Sequence, residues 1–297
     1  MLIYPGLLMD NMALPLAAQR LSPVQCTSWG HPETSGLPTV DYFLSSDSME
    51  PPEAVAHYTE QLVRLPNLSI YYEPVVTEQV AVSRAELGLR ADAAAFWCGQ
   101  SLFKYLPQFD GVFARIAKAA PHCQFVFLRH GGGAPVNELF EARLTQAFAA
   151  LGLQASDHCV FLGRLSQSKF VAAIGQCDVF LDSIGWSGCN SALESLPHHL
   201  PIVTLAGGTM RGRHSAAILA TMGVTDTIAE TVDDYVAIAA RLANDQAQCQ
   251  ALGARMREAE PKVYRDRACI TALEDFLEHA ARRSGEATGI SVSPSAL

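Results

Sequence analysis

The sequence predicts an α/β protein built on a doubly wound parallel sheet, with a smaller, proline-rich part ahead of it. Three observations carry that prediction. From about residue 94 onward, apolar runs of strand length alternate with helical stretches. Those runs are apolar almost throughout, as in Gln124-Phe125-Val126-Phe127-Leu128, which suits a parallel sheet covered on both faces. Glycine-rich turns follow two of the runs, at 183–191 and 206–215, where open parallel sheets take their ligands.

In chain order, the apolar start Met1–Asp10 carries no basic stretch and reads as a strand cut from a sheet. Pro15, Pro23, Pro32, Pro38, Pro51, Pro52, Pro66 and Pro74 then break the chain into short pieces. Short strands are expected at 24–29, 41–44 and 61–65, with a helix near Pro52–Glu60, where proline suits the first turn. The alternating region supplies strands at Ala94–Gly99, Gln124–Arg129, Cys159–Gly163, Asp178–Asp182, Ile202–Leu205 and Thr227–Ala229. The clearest helix is Val136–Leu151, where Val136, Leu139, Phe140, Leu144, Ala147, Phe148 and Leu151 mark one face. Further helices are expected over Asp233–Leu242, Gln246–Glu258 and Arg265–Arg282. The Ser-, Gly- and Ala-rich tail is expected to be disordered. With a boundary around 75–92, the division is 1–80 for the first part, 81–282 for the second and 283–297 for the tail.

Composition bounds the function. Hydrophobic residues make up 49% of the 297 and charged residues 17%, so a core forms readily. The net charge of -9 argues against a general nucleic-acid or membrane-surface binder, and no run is long enough to span a bilayer. A local basic pocket for an anion stays open. The eight cysteines show no Cys-x-x-Cys spacing and several sit in apolar runs, so they read as reduced core thiols in a cytoplasmic compartment, with no metal site.

The loops after the strands hold the candidate chemistry. Lys104, shortly past the first strand of the alternating region, reads either as a point charge on a phosphate or as a surface lysine. After Asp182 comes Ser183-Ile184-Gly185-Trp186-Ser187-Gly188-Cys189-Asn190-Ser191, a turn leading into a helix. Its amides and small residues suit an anion, and Glu194 suits ribose hydroxyls. The plain alternative is a capped glycine turn. After Leu205, the stretch to Ser215 adds Arg211, Arg213 and His214, which suit a diphosphate or surface acids. Gly185-Trp186-Ser187-Gly188-Cys189 approaches a hydrolase nucleophile elbow. Cys189 replaces its last glycine, and no acid lies convincingly between Ser187 and His214.

The ordered series Val24-Gln25, Trp29-Gly30-His31-Pro32-Glu33-Thr34-Ser35-Gly36-Leu37-Pro38, Asp41-Tyr42, Tyr58–Pro66, Ser101–Lys104, Leu181-Asp182 with Gly188, and Thr209–Arg213 resembles the O-linked N-acetylglucosamine transferase family, particularly its bacterial SPINDLY-like members. The resemblance runs from about residue 20 to 280. It implies a GT-B-like fold, with one complete Rossmann-like domain and the remaining part of a facing N-terminal one. It further implies that Lys104 and Ser101 lie in the lysine loop, that Gly188, Cys189, Asn190 and Ser191 form the phosphate turn, and that Glu194 is the ribose acid. Thr209, Arg211 and Arg213 complete the donor site. Cys189, Asn190 and Ser191 stand where the family carries His-Thr-Thr, so an imidazole donor is lost.

The function so implied is inverting, metal-independent transfer of a sugar from a UDP-sugar, used as substrate with no cofactor, to a protein hydroxyl, with Lys104 and His31 in catalytic roles. His31 is a substitute for the family's catalytic histidine, which has no counterpart here. Family members carry helical repeats and most of a first Rossmann domain before the Trp-Gly segment, whereas this sequence starts shortly ahead of Trp29. Self-association, or a missing N-terminal half from another chain, is therefore expected. The alternatives are a truncated, inactive nucleotide-binding or interaction module, and a UDP-sugar epimerase.

Overall fold

The structure is a computed structural model describing residues 1–78, 80–131 and 133–288. It divides into two compact units. The first comprises residues 1–72, 208–211 and 263 onward; the second comprises 73–207 and 212–262.

The first unit is a four-stranded sheet in the order β1-β2-β3-β4, formed by β1 (Leu2–Tyr4), β2 (Gln25–Ser28), β3 (Tyr42–Ser46) and β4 (Gln61–Leu65), all parallel. A short helix, α1 (Ala13–Ala17), follows β1, and its Ala17 packs with Leu7 and Val40. Buried Gln25 ties the loops to the sheet: its side chain accepts from the Leu21 amide at 2.9 Å and donates to the Thr39 carbonyl at 2.8 Å. The helix expected near Pro52–Glu60 is a single 3-10 turn at Ala54–His57. The turn stops where Tyr58 becomes extended, at φ -123° and ψ 141°, on the way into β4.

The second unit is a six-stranded parallel sheet built from β5 (Ala94–Cys98), β6 (Cys123–Leu128), β7 (Cys159–Leu162), β8 (Val179–Leu181), β9 (Ile202–Leu205) and β10 (Ile228–Ala229). Its order is β10-β9-β8-β5-β6-β7. The chain moves from β5 outward to β7, then returns to the other side of β5 and moves outward again. This is the doubly wound order, with its switch point between β5 and β8. Helices α2 (Gly111–Ala119), α3 (Ala134–Ala149), α4 (Ala155–His158), α5 (Gln167–Ile174), α6 (Asn190–Ser195) and α7 (His214–Met222) fill the connections, and α8 (Val232–Asn244) and α9 (Gln246–Ala259) follow β10.

Local chemistry sets several helix ends. Ser166, Thr231 and Asp245 accept amide bonds at the starts of α5, α8 and α9, and Gly223 ends α7 at φ 76°. The sheet is buried because its strands are apolar on both faces. Phe96 stacks on Phe125 at 5.3 Å, and Phe113, Phe127, Phe140 and Tyr105 continue the aromatic layer. Among the described residues, no helix is long and apolar enough to cross a membrane.

The last helix, α10 (Ala268–Thr288), corrects the division at 81–282. It belongs to the first unit, where Ala272, Leu273, Phe276 and Ala280 pack on the core around Cys26, Leu44 and Leu65, and Phe276 meets Tyr42 edge-on at 5.1 Å. Residues expected in a disordered tail from 283 continue this helix to Thr288; 289–297 lie outside the described residues.

Candidate functional site

The carboxyl ends of β5 and β8 carry the densest group of buried polar side chains in the second unit. Its centre is Asp182, the residue after β8, which is 3% exposed. Oδ2 accepts from Ser187 Oγ at 2.7 Å and Thr204 Oγ1 at 2.8 Å; Oδ1 accepts from the Gly188 amide at 2.7 Å and Gln100 Nε2 at 3.4 Å. The Asp182 carbonyl takes the Tyr235 hydroxyl at 2.6 Å. Burial raises the Asp182 carboxyl above its usual range, while those donors pull it down. One carboxylate thus fixes the turn after β8 to the end of β9 and to the loop after β5.

Gly188 has no room for a side chain, since a Cβ there would lie 2.5 Å from Ser191 Oγ and 3.2 Å from Gln100 Nε2. Its amide is committed to Asp182, which corrects the expectation that it faces a diphosphate. No hydrogen bond among the described residues takes up the amides of Cys189, Asn190 or Ser191. Helix α6 is six residues long and begins at Asn190, as the turn predicted. Glu194, one turn on, is half-buried and its carboxyl is raised by burial.

Lys104 comes to this turn from the loop after β5. A 3-10 turn over Leu102–Lys104 folds it back, so that Nζ lies 3.4 Å from the Ser187 carbonyl and 5.9 Å from the centre of the Trp186 ring. Burial lowers the Lys104 ammonium from its ordinary value, and Asp182 and Cys189 act in the opposite direction. Burial pushes the Cys189 thiol up to about 12, with Lys104 opposing. Ser101, at the start of the same loop, is exposed.

The start of α7 closes the third side. The Ser215 amide donates to Ser187 Oγ at 2.9 Å, and Ser215 Oγ donates to the Gly188 carbonyl at 3.0 Å. His214 is buried beside them and is lowered to about 4, first by burial and then by the charge of Lys104. Arg213 donates to the Gly207 carbonyl at 3.0 Å, bracing the loop whose ends meet through the Gly207 amide and the Gly212 carbonyl at 2.8 Å.

The structure therefore gathers Lys104, Gly188, Cys189, Asn190, Ser191, Glu194 and Arg213 in the second unit. Thr209 and Arg211 fall in the segment 208–211, which groups with the first unit, as does His31. There Arg211 makes an ion pair with Glu33, whose other oxygen lies 3.6 Å from His31 Nε2. The expectation of a cation committed to a diphosphate is thus modified for Arg211, which already has a carboxylate partner. Glu60 holds the same loop, accepting from Thr34 Oγ1 at 2.6 Å and from the Ser35 amide at 2.8 Å.

Sequence reasoning missed the roles of Asp182, Gln100, Ser187, Ser215 and buried His214. The available signal was an acid ending an apolar strand at a ligand-bearing edge. A cavity of about 920 Å³ lies elsewhere, at the amino ends of β5, β8 and β9 beside Arg84, Asp178, His198 and Arg257. On its wall Arg84 bonds Asp178 at 2.7 Å and the Ala93 carbonyl at 2.8 Å, His199 lies 3.3 Å from Glu260, and His198 Nε2 has no hydrogen-bond partner among the described residues. We place the candidate site at the carboxyl ends, where a half-buried cation and open amides meet, rather than at this hollow.

Comparison with known proteins converges on one family. The family model described as glycosyl transferase family 41 matches residues 69–266. A probable UDP-N-acetylglucosamine–peptide N-acetylglucosaminyltransferase SPINDLY from Petunia hybrida is 31% identical over 253 residues, covering 85% of this chain and 26% of that protein. A UDP-glucose:protein N-beta-glucosyltransferase from Actinobacillus pleuropneumoniae is 23% identical over 81% of this chain and 38% of its own length. Among solved structures, a mutant O-GlcNAc transferase from Thermobaculum terrenum superposes with a TM-score of 0.78 at 25% identity, covering 93% of this chain and 52% of that one. This match bears out the GT-B-like α/β class expected from the sequence. The chain spans about a quarter of the length of the SPINDLY proteins and about half of the solved transferase.

Proposed function

We propose that this chain, which belongs to glycosyl transferase family 41, binds a UDP-sugar at the carboxyl ends of β5 and β8 and transfers the sugar to a protein hydroxyl. The observation that carries the reading is Lys104, a half-buried ammonium at the switch point of a doubly wound sheet, where such sheets bind nucleotides. The relatives' names supply the donor class, UDP-linked hexose or N-acetylhexosamine, and the acceptor class, protein.

Departure of UDP builds negative charge on the diphosphate. Preorganised donors aimed at that charge lower the barrier, because they need no reorganisation as the bond breaks. Lys104, the amides of Cys189, Asn190 and Ser191, and the Asn190 and Ser191 side chains are the donors assigned here, with Arg213 supporting the neighbouring loop. In this reading the diphosphate is neutralised by side chains, without a metal or cofactor. Glu194 takes the ribose hydroxyls. On the acceptor side His31 accepts the hydroxyl proton, and Glu33 beside it stabilises the imidazolium. Inversion follows from a single displacement by the acceptor oxygen. A reducing, cytoplasmic setting is part of the same reading, supported by eight cysteines without a disulfide.

Titration of the purified chain with UDP tests this. Lys104→Ala removes one charge-assisted hydrogen bond and weakens UDP binding by about 1.5–3 kcal/mol. An unchanged affinity in that variant removes Lys104 from the site. Transfer of labelled sugar to an acceptor peptide then separates an active enzyme from a module that binds without turnover.

A further inference from the structure

Two aromatic rings, Phe103 and Trp186, stand beside Lys104. In a 3-10 turn, successive side chains point about 120° apart. Leu102 therefore turns inward, 2% exposed, and Phe103 outward, 54% exposed. Of the thirteen phenylalanines Phe103 is the exposed one. Its ring meets Trp186, on the loop after the neighbouring strand, edge to face at 5.4 Å and 71°.

Trp186 is held by the backbone on both sides. Its carbonyl accepts from Ser183 Oγ at 2.7 Å, and the next residue, Ser187, is bonded to Asp182. The Lys104 ammonium lies 5.9 Å from the Trp186 ring centre. A cation and two rings in mutual contact thus share one corner of the crevice between β5 and β8.

We infer that Phe103 and Trp186 form a wall that packs against the C–H face of the donor's hexosyl ring and so helps to select the sugar. The inference rests on the UDP-sugar reading above. The sugar is joined directly to the diphosphate, whereas uracil is joined only through the ribose. A side chain touching the diphosphate-binding lysine is therefore within reach of the sugar. The electron-rich face of an aromatic ring attracts the positively polarised C–H bonds of a pyranose, and burying that face removes apolar surface from water.

The experiment measures dissociation constants of UDP, UDP-glucose and UDP-N-acetylglucosamine for the wild-type chain, Phe103→Ala, Trp186→Ala and Trp186→Phe. In both alanine variants at least one UDP-sugar should bind about fivefold to tenfold more weakly while UDP alone stays within about twofold. Trp186→Phe should recover most of the loss. Phe103 is on the surface, so its variant decides the matter even if Trp186→Ala does not fold. UDP-sugar affinities unchanged in Phe103→Ala overturn the inference, as does an equal loss for UDP, which would put the rings on the nucleotide. A wild-type chain that binds neither UDP nor a UDP-sugar overturns the donor reading itself, and this inference falls with it.

Discussion

The two ends of the second sheet hold their polar groups in different ways. At the amino ends, beside a hollow of about 920 Å³, Arg84 pairs with Asp178 and His199 with Glu260. At the carboxyl ends a half-buried ammonium stands over a turn whose next amides have no partner among the described residues. Asp182 is the reason. By accepting from Ser187, Gly188, Thr204 and Gln100 it rigidifies the turn without using the donors that follow. A ligand gains from donors left unpaired and held in place, and gains less from charged groups that are already paired.

The largest effect expected to sharpen this contrast is at Asp182. Asp182→Ala leaves several buried donors without an acceptor and should cost about 3–5 kcal/mol of unfolding free energy, with loss of UDP binding. Urea denaturation and UDP titration measure both. A variant of ordinary stability that still binds UDP would break the contrast.

The next effect comes from His214. Its folded value of about 4 lies below the ordinary 6.5, so the stability it contributes is complete above pH 6.5 and is lost as pH falls towards 4. Between pH 7 and 4, stability should drop by about 3 kcal/mol more in the wild type than in His214→Gln, read from denaturation curves at each pH. Parallel pH profiles for the two proteins would show that His214 is not the buried neutral group described.

The smallest effect belongs to the amino ends. Arg84→Ala removes a partly exposed pair with Asp178 and should cost about 1 kcal/mol, with UDP affinity unchanged. A tenfold loss of UDP affinity there would move the donor site to the large cavity.

Much of this was readable from residue order. The alternation after residue 94 placed the six strands of the second sheet, because a chain buried on both faces has to be apolar throughout. The turns at Gly188 and Gly207 marked the strand ends that carry the site, and Lys104 lies in the predicted loop. What escaped was the network between loops. Asp182 ends an apolar run in the sequence, but nothing in its neighbours indicates that Thr204 and Gln100 will reach its carboxylate. Helix α10 shows the same limit. Its apolar stripe through Leu273 and Phe276 announces a buried face, but not that Tyr42 and Cys26 of the first unit cover it.

The sequence by itself determined the strands of the second sheet and their order, because hydrophobic period and turn chemistry act between residues close along the chain; the family was legible as a resemblance carried by particular motifs. Only the tertiary structure decided which donors are spent and which remain. It committed Gly188 to Asp182 and Arg211 to Glu33, and it brought Trp186 against Lys104. Those outcomes depend on distances between loops on different strands, set by how the strands pair and how the core beneath them packs.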